Sequence, residues 1–326
     1  MAALATSHSV RRWGRSLTLV TGLPGSRRTT ITVGTFDGVH RGHQAVLREI
    51  VRRARASDRE SVLVTFEPHP LRIVAPERAP CLLTTPIERR LLWPQFELDY
   101  VVVVPFDDRL RQLSPEAFVR DVLVRQLRLG ELVIGYDHGF GKDRKGDVET
   151  LRRLGMDEGF SVDVVGPVTS GEETVSSTKI RGAIASGDLA IAAAGLGRGY
   201  SAYGRVVRGA GRGRSLGFAT ANLELDFDKC LPPEGVYAVL AEVDGERHEA
   251  MANLGPRPTF EETGGGLEAH FLDWSGESLY GALVGIEFVR RLRPVKRFDG
   301  PEELSAQLGR DRVAARTALA DRQEVA

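Results

Sequence analysis

Hydrophobic positions change their spacing near residue 200, and that change divides the chain in two. Before it, short β-branched runs alternate with segments of helical period. "TITVGTF" (30–36), "SVLVTF" (61–66), "YVVVVPF" (100–106), "ELVIGY" (131–136) and "FSVDVVG" (160–166) read as strands. Between the first two, "RGHQAVLREIVRRARA" (41–56) brings Ala45, Leu47, Ile50, Val51 and Ala54 near one helical face. "SPEAFVRDVLVRQLR" (114–128) predicts another helix, with Ser114 as its N-cap and Pro115 at the first helical position. Strands and helices alternating in this way predict a parallel sheet covered by helices, with ligands at the carboxyl ends of the strands.

Past residue 200 the period shortens to that of strands. "GVYAVLAEVDGERHEAMANLG" (235–255) is two strand patterns around Asp244-Gly245, a hairpin signal. "LEAHFLDW" (267–274) and "SLYGALVGIEFVRRLR" (278–293) add two strands across a Ser275-Gly276 turn. Helical spacing returns only from Pro301 to about Ala320. The expectation is an antiparallel barrel or sandwich closed by one helix, joined to the first half through the Gly-rich "GLGRGYSAYG" (195–204). No internal repeat is visible.

Composition narrows the classes. A length of 326 residues suits two domains, and 42% hydrophobic with 27% charged residues is a globular balance. Lys+Arg and Asp+Glu both number 44, whereas a dedicated nucleic-acid binder is basic, at least locally. This bears on residues 204–222, "GRVVRGAGRGRSLGFATAN", an Arg- and Gly-rich stretch without an acid. It reads either as a flexible RNA-binding tract or as a folded loop that holds phosphate. Cys81 and Cys230 lie far apart, form no C-x-x-C pair and suit two thiols in a reducing cytoplasm. No apolar run approaches the roughly 18 residues of a membrane span. The first thirty residues carry five arginines and no acid, a composition shared with organelle transit peptides. With no apolar h-region there, a frayed start before the "TITVGTF" strand is the preferred reading.

Chemistry concentrates first in "GTFDGVHRGH" (34–43), between the first strand and the first helix. His40 and His43, three apart at a helix start, can face one ligand. The helix N-terminus offers free N–H groups and a partial positive charge to a phosphate. Gly34 and Gly38 permit a tight turn close to a nucleotide. An H-x-x-H zinc site lacks a third ligand at a convincing spacing. "FEPHP" (66–70) places Glu67 and His69 on a stiff turn, "GYDHGFGKDRKGD" (135–147) is a basic loop after a strand, and "SSTKIRGAI" (176–184) puts hydroxyls at a helix start. Singly, each reads as a cap, turn or solvated face. Together they describe a phosphate-rich pocket.

This set resembles the adenylyltransferase module of bacterial bifunctional riboflavin kinase/FMN adenylyltransferases. The resemblance implies a Rossmann-like nucleotidylyltransferase fold over residues 18–186. It makes His40 and His43 catalytic residues in contact with the ATP phosphates, and gives nucleotide contacts to the surrounding Gly34, Phe36 and Asp37. Ser177, Thr178 and Arg181 would hold the nucleotide and the leaving pyrophosphate. Asp137 stands where some members have Asn. FMN phosphate would attack the α-phosphorus of ATP with Mg²⁺ assisting, and an ionised phosphate needs no general base.

The second constellation is "LGFATANL" (216–223). Thr220 and Asn222 project from one face if the segment is extended, and their oxygens suit Mg²⁺ and phosphate. The glycines before them can form an anion-binding nest. The segment from Tyr203 on is similar to the riboflavin kinase module, which implies a riboflavin kinase-like antiparallel β-barrel over residues 203–322 and a linker at 187–202. On that resemblance Thr220 and Asn222 bind Mg²⁺ and ATP, Glu268 is the catalytic base, and Gly209, Gly211, Arg214 and Gly217 belong to the phosphate-side loop. Ala219 replaces the family's usual proline, which predicts an intact but less pre-organised site.

The implied enzyme phosphorylates riboflavin to FMN and adenylylates FMN to FAD. Its partners are small molecules, without nucleic acid or membrane, and it is cytoplasmic; the sequence carries no sign of oligomeric state. Two rival readings are a different H-x-G-H nucleotidylyltransferase fused to an unrelated β-barrel and an Arg-Gly RNA-binding protein.

Overall fold

The computed structural model describes residues 8–12, 15–20, 23, 26–136, 148–170, 173–208, 219–255, 266–274, 276 and 278–323. The chain forms two compact units, Met1–Cys81 with Pro86–Ser177, and Leu82–Thr85 with Thr178–Ala326.

In the first unit, β1 (His8–Arg12), β2 (Arg15–Val20), β3 (Thr29–Val33), β4 (Glu60–Glu67), β5 (Tyr100–Pro105), β6 (Leu129–Gly135) and β7 (Ser161–Val165) form one sheet in the order β1-β2-β5-β4-β3-β6-β7. β1 is antiparallel to β2, and every other neighbouring pair is parallel. A two-stranded ribbon of β8 (Thr169–Ser170) and β9 (Glu173–Thr174) follows. Period-2 alternation sorts the sheet residues to two cores, because successive side chains leave a strand on opposite faces. Ile31, Val33, Val62 and Val64 pack with Phe118, Leu123 and Leu151. Leu63, Val101 and Val133 pack with Leu47, Ile50 and Trp93. The parallel sheet with helical cover is the expected one.

The helix Arg41–Ala56 has the predicted bounds, but Val46 rather than Ala45 joins Leu47, Ile50, Val51 and Ala54 in its buried stripe. Ser114 caps as expected, accepting from Ala117 N–H at 3.1 Å, and the helix continues as a π-helix over Phe118–Gln126. The start of the chain departs from the reading. β1 and β2 occupy the segment taken as frayed, and Thr18–Val20 extends the sheet beside Tyr100–Val102. β2 takes part of its pairing from a strand eighty residues away, which local spacing does not reveal.

In the second unit, β10 (Tyr200–Val207), β11 (Ala219–Leu225), β12 (Gly235–Val243), β13 (Glu246–Leu254), β14 (Leu267–Phe271) and β15 (Leu283–Arg293) close a barrel in the order β10-β11-β14-β13-β12-β15. All its pairings are antiparallel. Asp244 (φ 49°) and Gly245 (φ 89°) make the predicted hairpin turn between β12 and β13. β14 and β15 do not form the hairpin expected across residues 275–276. β14 pairs with β11 and β13, and β15 with β10 and β12. The helix Pro301–Gln323 packs Leu308, Ala315, Ala318 and Leu319 on Ala238 and Met251, so the barrel is closed by a terminal helix. Residues 187–202, expected as a linker, contain the helix Leu189–Leu196 and the beginning of β10.

Residues 82–85 are held in this unit by backbone pairing. Leu82 N–H donates to Asp228 O at 2.7 Å, and Cys230 N–H to Leu82 O at 2.8 Å. The buried Lys229 ammonium donates to Leu83 O at 2.7 Å. Neither cysteine is a free thiol, against the reading of two thiols.

Candidate active sites

The strand order turns back at β3, which has β4 on one side and β6 on the other. Such a reversal opens a crevice outside the carboxyl ends of the strands. The chain leaves β3 at this point. Gly34 N–H still donates to Val64 O at 3.0 Å, after which Phe36 (φ 49°), Gly38 (φ 88°) and Val39 (φ 42°) turn through left-handed backbone. Positive φ at a non-glycine residue costs on the order of 1–3 kcal/mol. Full burial of Val39 and near-full burial of Phe36 offset that cost.

His40 caps the helix, its Nδ1 accepting from His43 N–H at 3.4 Å. A neutral His40 therefore carries its proton on Nε2. The His40 and His43 rings stack with centroids 3.6 Å apart, and Phe36 lies 4.8 Å from His43. The helix has no acidic residue in its first turn to oppose an anion. Asp37 is buried, and its carbonyl accepts from Ser177 Oγ at 2.9 Å. Thus Gly34, Phe36, Asp37, His40, His43 and Ser177 come together. Thr178 and Arg181 stand on the helix Ser177–Ser186. Asp137 and the basic loop after β6 lie outside the described residues.

One group near this turn escaped the sequence reading. Arg89, on the helix Pro86–Leu92, is 2% exposed. Its Nη1 donates to Thr35 O at 3.1 Å and its Nη2 to Glu67 Oε1 at 3.4 Å. Arg90 Nη2 donates to Glu67 Oε2 at 2.8 Å, so the carboxylate of the FEPHP turn is clamped from both sides. Burial pushes the Arg89 pKa down, and the charges of Glu67 and Asp37 oppose that push.

In the barrel, β11 and β14 bring Asn222 opposite Glu268 and Thr220 opposite His270. β13 continues both rows with Asn253 and Met251. Thr220, Asn222, Glu268, His270 and Asn253 therefore share one sheet face. The other face carries Ala221, Ala252 and Ala269, all fully buried. Thr220 Oγ1 lies 3.1 Å from His270 Nδ1, and His270 Nε2 lies 3.9 Å from Glu268 Oε2. Burial holds the His270 pKa below its ordinary value against the pull of Glu268. His270, like Arg89, was missed. Its strand position was legible, but the Thr220 hydroxyl it meets comes from another strand. Gly209, Gly211, Arg214 and Gly217 lie outside the described residues.

Comparison with known proteins matches both halves. The FAD synthetase family profile covers residues 24–179, and the riboflavin kinase profile covers residues 196–319. The bifunctional riboflavin kinase/FMN adenylyltransferase of Escherichia coli K12 is 38% identical over 287 residues, 88% of this chain and 91% of that protein. The chain belongs to the bifunctional riboflavin kinase/FMN adenylyltransferase family. Relatives in Pseudomonas fluorescens (38% identity; 91% of this chain, 95% of the relative) and Bacillus subtilis (34%; 88% and 92%) carry the same name. A crystal structure from Streptococcus pneumoniae described as a macrolide-efflux protein has a TM-score of 0.77 and 29% identity, covering 91% of this chain and 98% of that one. Among the described residues, no helix is long and apolar enough to cross a membrane.

As a family member the chain is a bacterial-type transferase with two activities. It phosphorylates riboflavin to FMN at the expense of ATP, and it adenylylates FMN to FAD with release of pyrophosphate. The matched kinase profile removes the unrelated-barrel reading and explains residues 204–222 without RNA.

Proposed function

We propose that the two reactions use separate side-chain sets, adenylyl transfer within residues 18–186 and phosphorylation within residues 203–322. In the first, the stacked His40 and His43, the turn at Gly34, Phe36 and Asp37, and Ser177, Thr178 and Arg181 hold the phosphates of ATP. Asp137 adds a nucleotide contact. An FMN phosphate oxygen forms a bond to the α-phosphorus as the bond to the bridging oxygen of pyrophosphate breaks. Fixed donors at the helix start follow the charge that develops there, a form of stabilisation that needs no reorganisation during the reaction.

In the second, Glu268 takes the proton of the riboflavin 5′-hydroxyl while its oxygen attacks the γ-phosphorus and ADP leaves. The observation that carries this assignment is the register, with Asn222 directly opposite Glu268 and Thr220 two residues along on the same face. Hard, uncharged Thr and Asn oxygens beside a carboxylate suit Mg²⁺ shared with substrate phosphates. Thr220 and Asn222 would hold the ion, which supplies charge neutralisation on the transferred phosphoryl group. Gly209, Gly211, Arg214 and Gly217 complete the phosphate side. The partners are ATP and flavins, without nucleic acid or membrane. We place the enzyme in the cytoplasm on the supply of ATP and riboflavin alone, since the cysteines no longer argue for it.

Chromatography of flavins after incubation with riboflavin, ATP and Mg²⁺ tests the assignment. H43A accumulates FMN. E268A makes almost no FMN, a loss of about 10²–10⁴ in rate, yet still converts added FMN to FAD. Loss of both activities in each variant would refute the separation.

A further inference from the structure

Reaction between two anions requires that two anion-holding segments keep a fixed separation. In the first unit the turn proposed to hold ATP, residues 34–40, follows β3, and the FEPHP turn of the same phosphate-rich set follows its parallel neighbour β4. One buried side chain reaches both. The Arg89 guanidinium donates to Thr35 O in the first and to Glu67 in the second, from a third element. Satisfying Thr35 O does not need a charge, because Thr65 Oγ1 already donates to it at 3.3 Å. Arg89 Nε is buried with no hydrogen-bond acceptor among the described residues. A cation so deeply desolvated is a poor choice for simple packing, where an apolar side chain of similar volume does as well. Its geometry is that of a rigid fork spanning two acceptors, which guanidinium supplies and ammonium does not.

We propose that Arg89 is a positioning residue for adenylyl transfer, locking the turn after β3 to the Glu67 turn after β4. The inference rests on the reading that the turn after β3 holds the ATP phosphates. Arg89 itself touches no substrate. It sets where the stacked histidines stand relative to the neighbouring strand end, and Arg90 holds the other oxygen of Glu67.

The test uses full-length R89K and R89M, each assayed separately for FAD formation from added FMN and for FMN formation from riboflavin. Misplacement of reacting groups by about 1 Å costs on the order of 10²-fold in rate. R89M therefore lowers kcat for FAD formation by about 10²-fold, with a much smaller change in KM for ATP. Riboflavin phosphorylation stays within about twofold, because its residues are on the other unit. R89K recovers about tenfold of the loss, since one ammonium still bonds Thr35 O or pairs with Glu67. Amide hydrogen exchange over residues 34–40 quickens in R89M and slows again in R89K. Undiminished kcat in R89M overturns the proposal, as does R89K no better than R89M. Should R89M fail to fold, R89K decides: a lower kcat with unchanged ATP binding supports positioning, and unchanged kcat overturns it. H43A separates the two levels. If H43A leaves FAD formation intact, the reading of the turn fails; if H43A abolishes it while R89M is silent, only the inference fails.

Discussion

Replacing Asp311 by Asn should destabilise the kinase barrel and leave adenylyl transfer untouched. Asp311 lies on the closing helix with its side chain 4% exposed, and it takes Arg293 of β15 on both oxygens. The distances are 3.0 Å and 3.1 Å from Nε and 2.7 Å from Nη2, with Gln307 Nε2 adding a bond at 2.8 Å. Breaking a buried ion pair from one side costs about 3–5 kcal/mol, because the remaining charge is left without compensation. Three features place this case lower. Arg293 is 19% exposed, its Nη1 keeps Pro294 O at 3.0 Å, and Asn retains one acceptor oxygen. A cost of about 2–3 kcal/mol follows. For a module of roughly 150 residues this lowers the transition by about 5–10 °C. Aliquots of the full-length protein are heated, cooled and assayed for each activity. FMN formation from riboflavin is lost about 5–10 °C earlier than in the unsubstituted chain, and FAD formation from added FMN is lost at the same temperature as before. A shift below about 2 °C, or equal shifts in both activities, refutes the reasoning. The double substitution R293M/D311L recovers most of the loss, because apolar side chains can replace a buried pair without leaving a charge behind.

Two further outcomes are expected. Ala219 begins β11, a position where a strand tolerates proline. A219P therefore keeps the rate of riboflavin phosphorylation and the affinity for Mg·ATP while adding about 0.4–1 kcal/mol of stability through the unfolded chain; slower phosphorylation or weaker binding contradicts the view of a softened turn. Glu49 is held at about 2, below its ordinary 4.5, chiefly by the hydrogen bond from Arg52, with Arg53 assisting against desolvation. Because the folded value is depressed, its contribution is complete above the unfolded value and disappears as pH falls through about 2. Urea titrations should show E49Q less stable near neutrality by about 1 kcal/mol after solvent screening, with a flatter loss of stability in acid; identical acid slopes for E49Q and the unsubstituted chain exclude the linkage.

Legibility followed the range of the interaction. The helix Arg41–Ala56 was readable because its buried stripe repeats within one element and Leu47, Ile50, Val51 and Ala54 carry it. Only the choice between Ala45 and Val46 depended on which side of that stripe met the sheet. The common face of Thr220 and Asn222 follows from two-residue alternation in β11. Glu268 opposite Asn222 required the resemblance, because no local rule pairs residues 46 positions apart. Arg89 and His270 were invisible for a related reason. Nothing in "PIERRLL" marks one arginine for burial, and nothing in "LEAHF" says which hydroxyl the histidine meets.

The sequence by itself determined the short-range facts: the change of hydrophobic period near residue 200, the cap at Ser114, the Asp244-Gly245 turn, and the motifs that mark two phosphate-handling modules. The tertiary structure decided the order of strands, the antiparallel edge hairpin of β1 and β2, and the separation of β14 from β15. It also decided what surrounds the reacting centres, the Arg89 clamp and the approach of His270 to Thr220 and Glu268. Caps, turns and periodicity depend on backbone geometry within a few residues. Partners across strands depend on which distant segments can bury their apolar faces together, and only the folded chain resolves that competition.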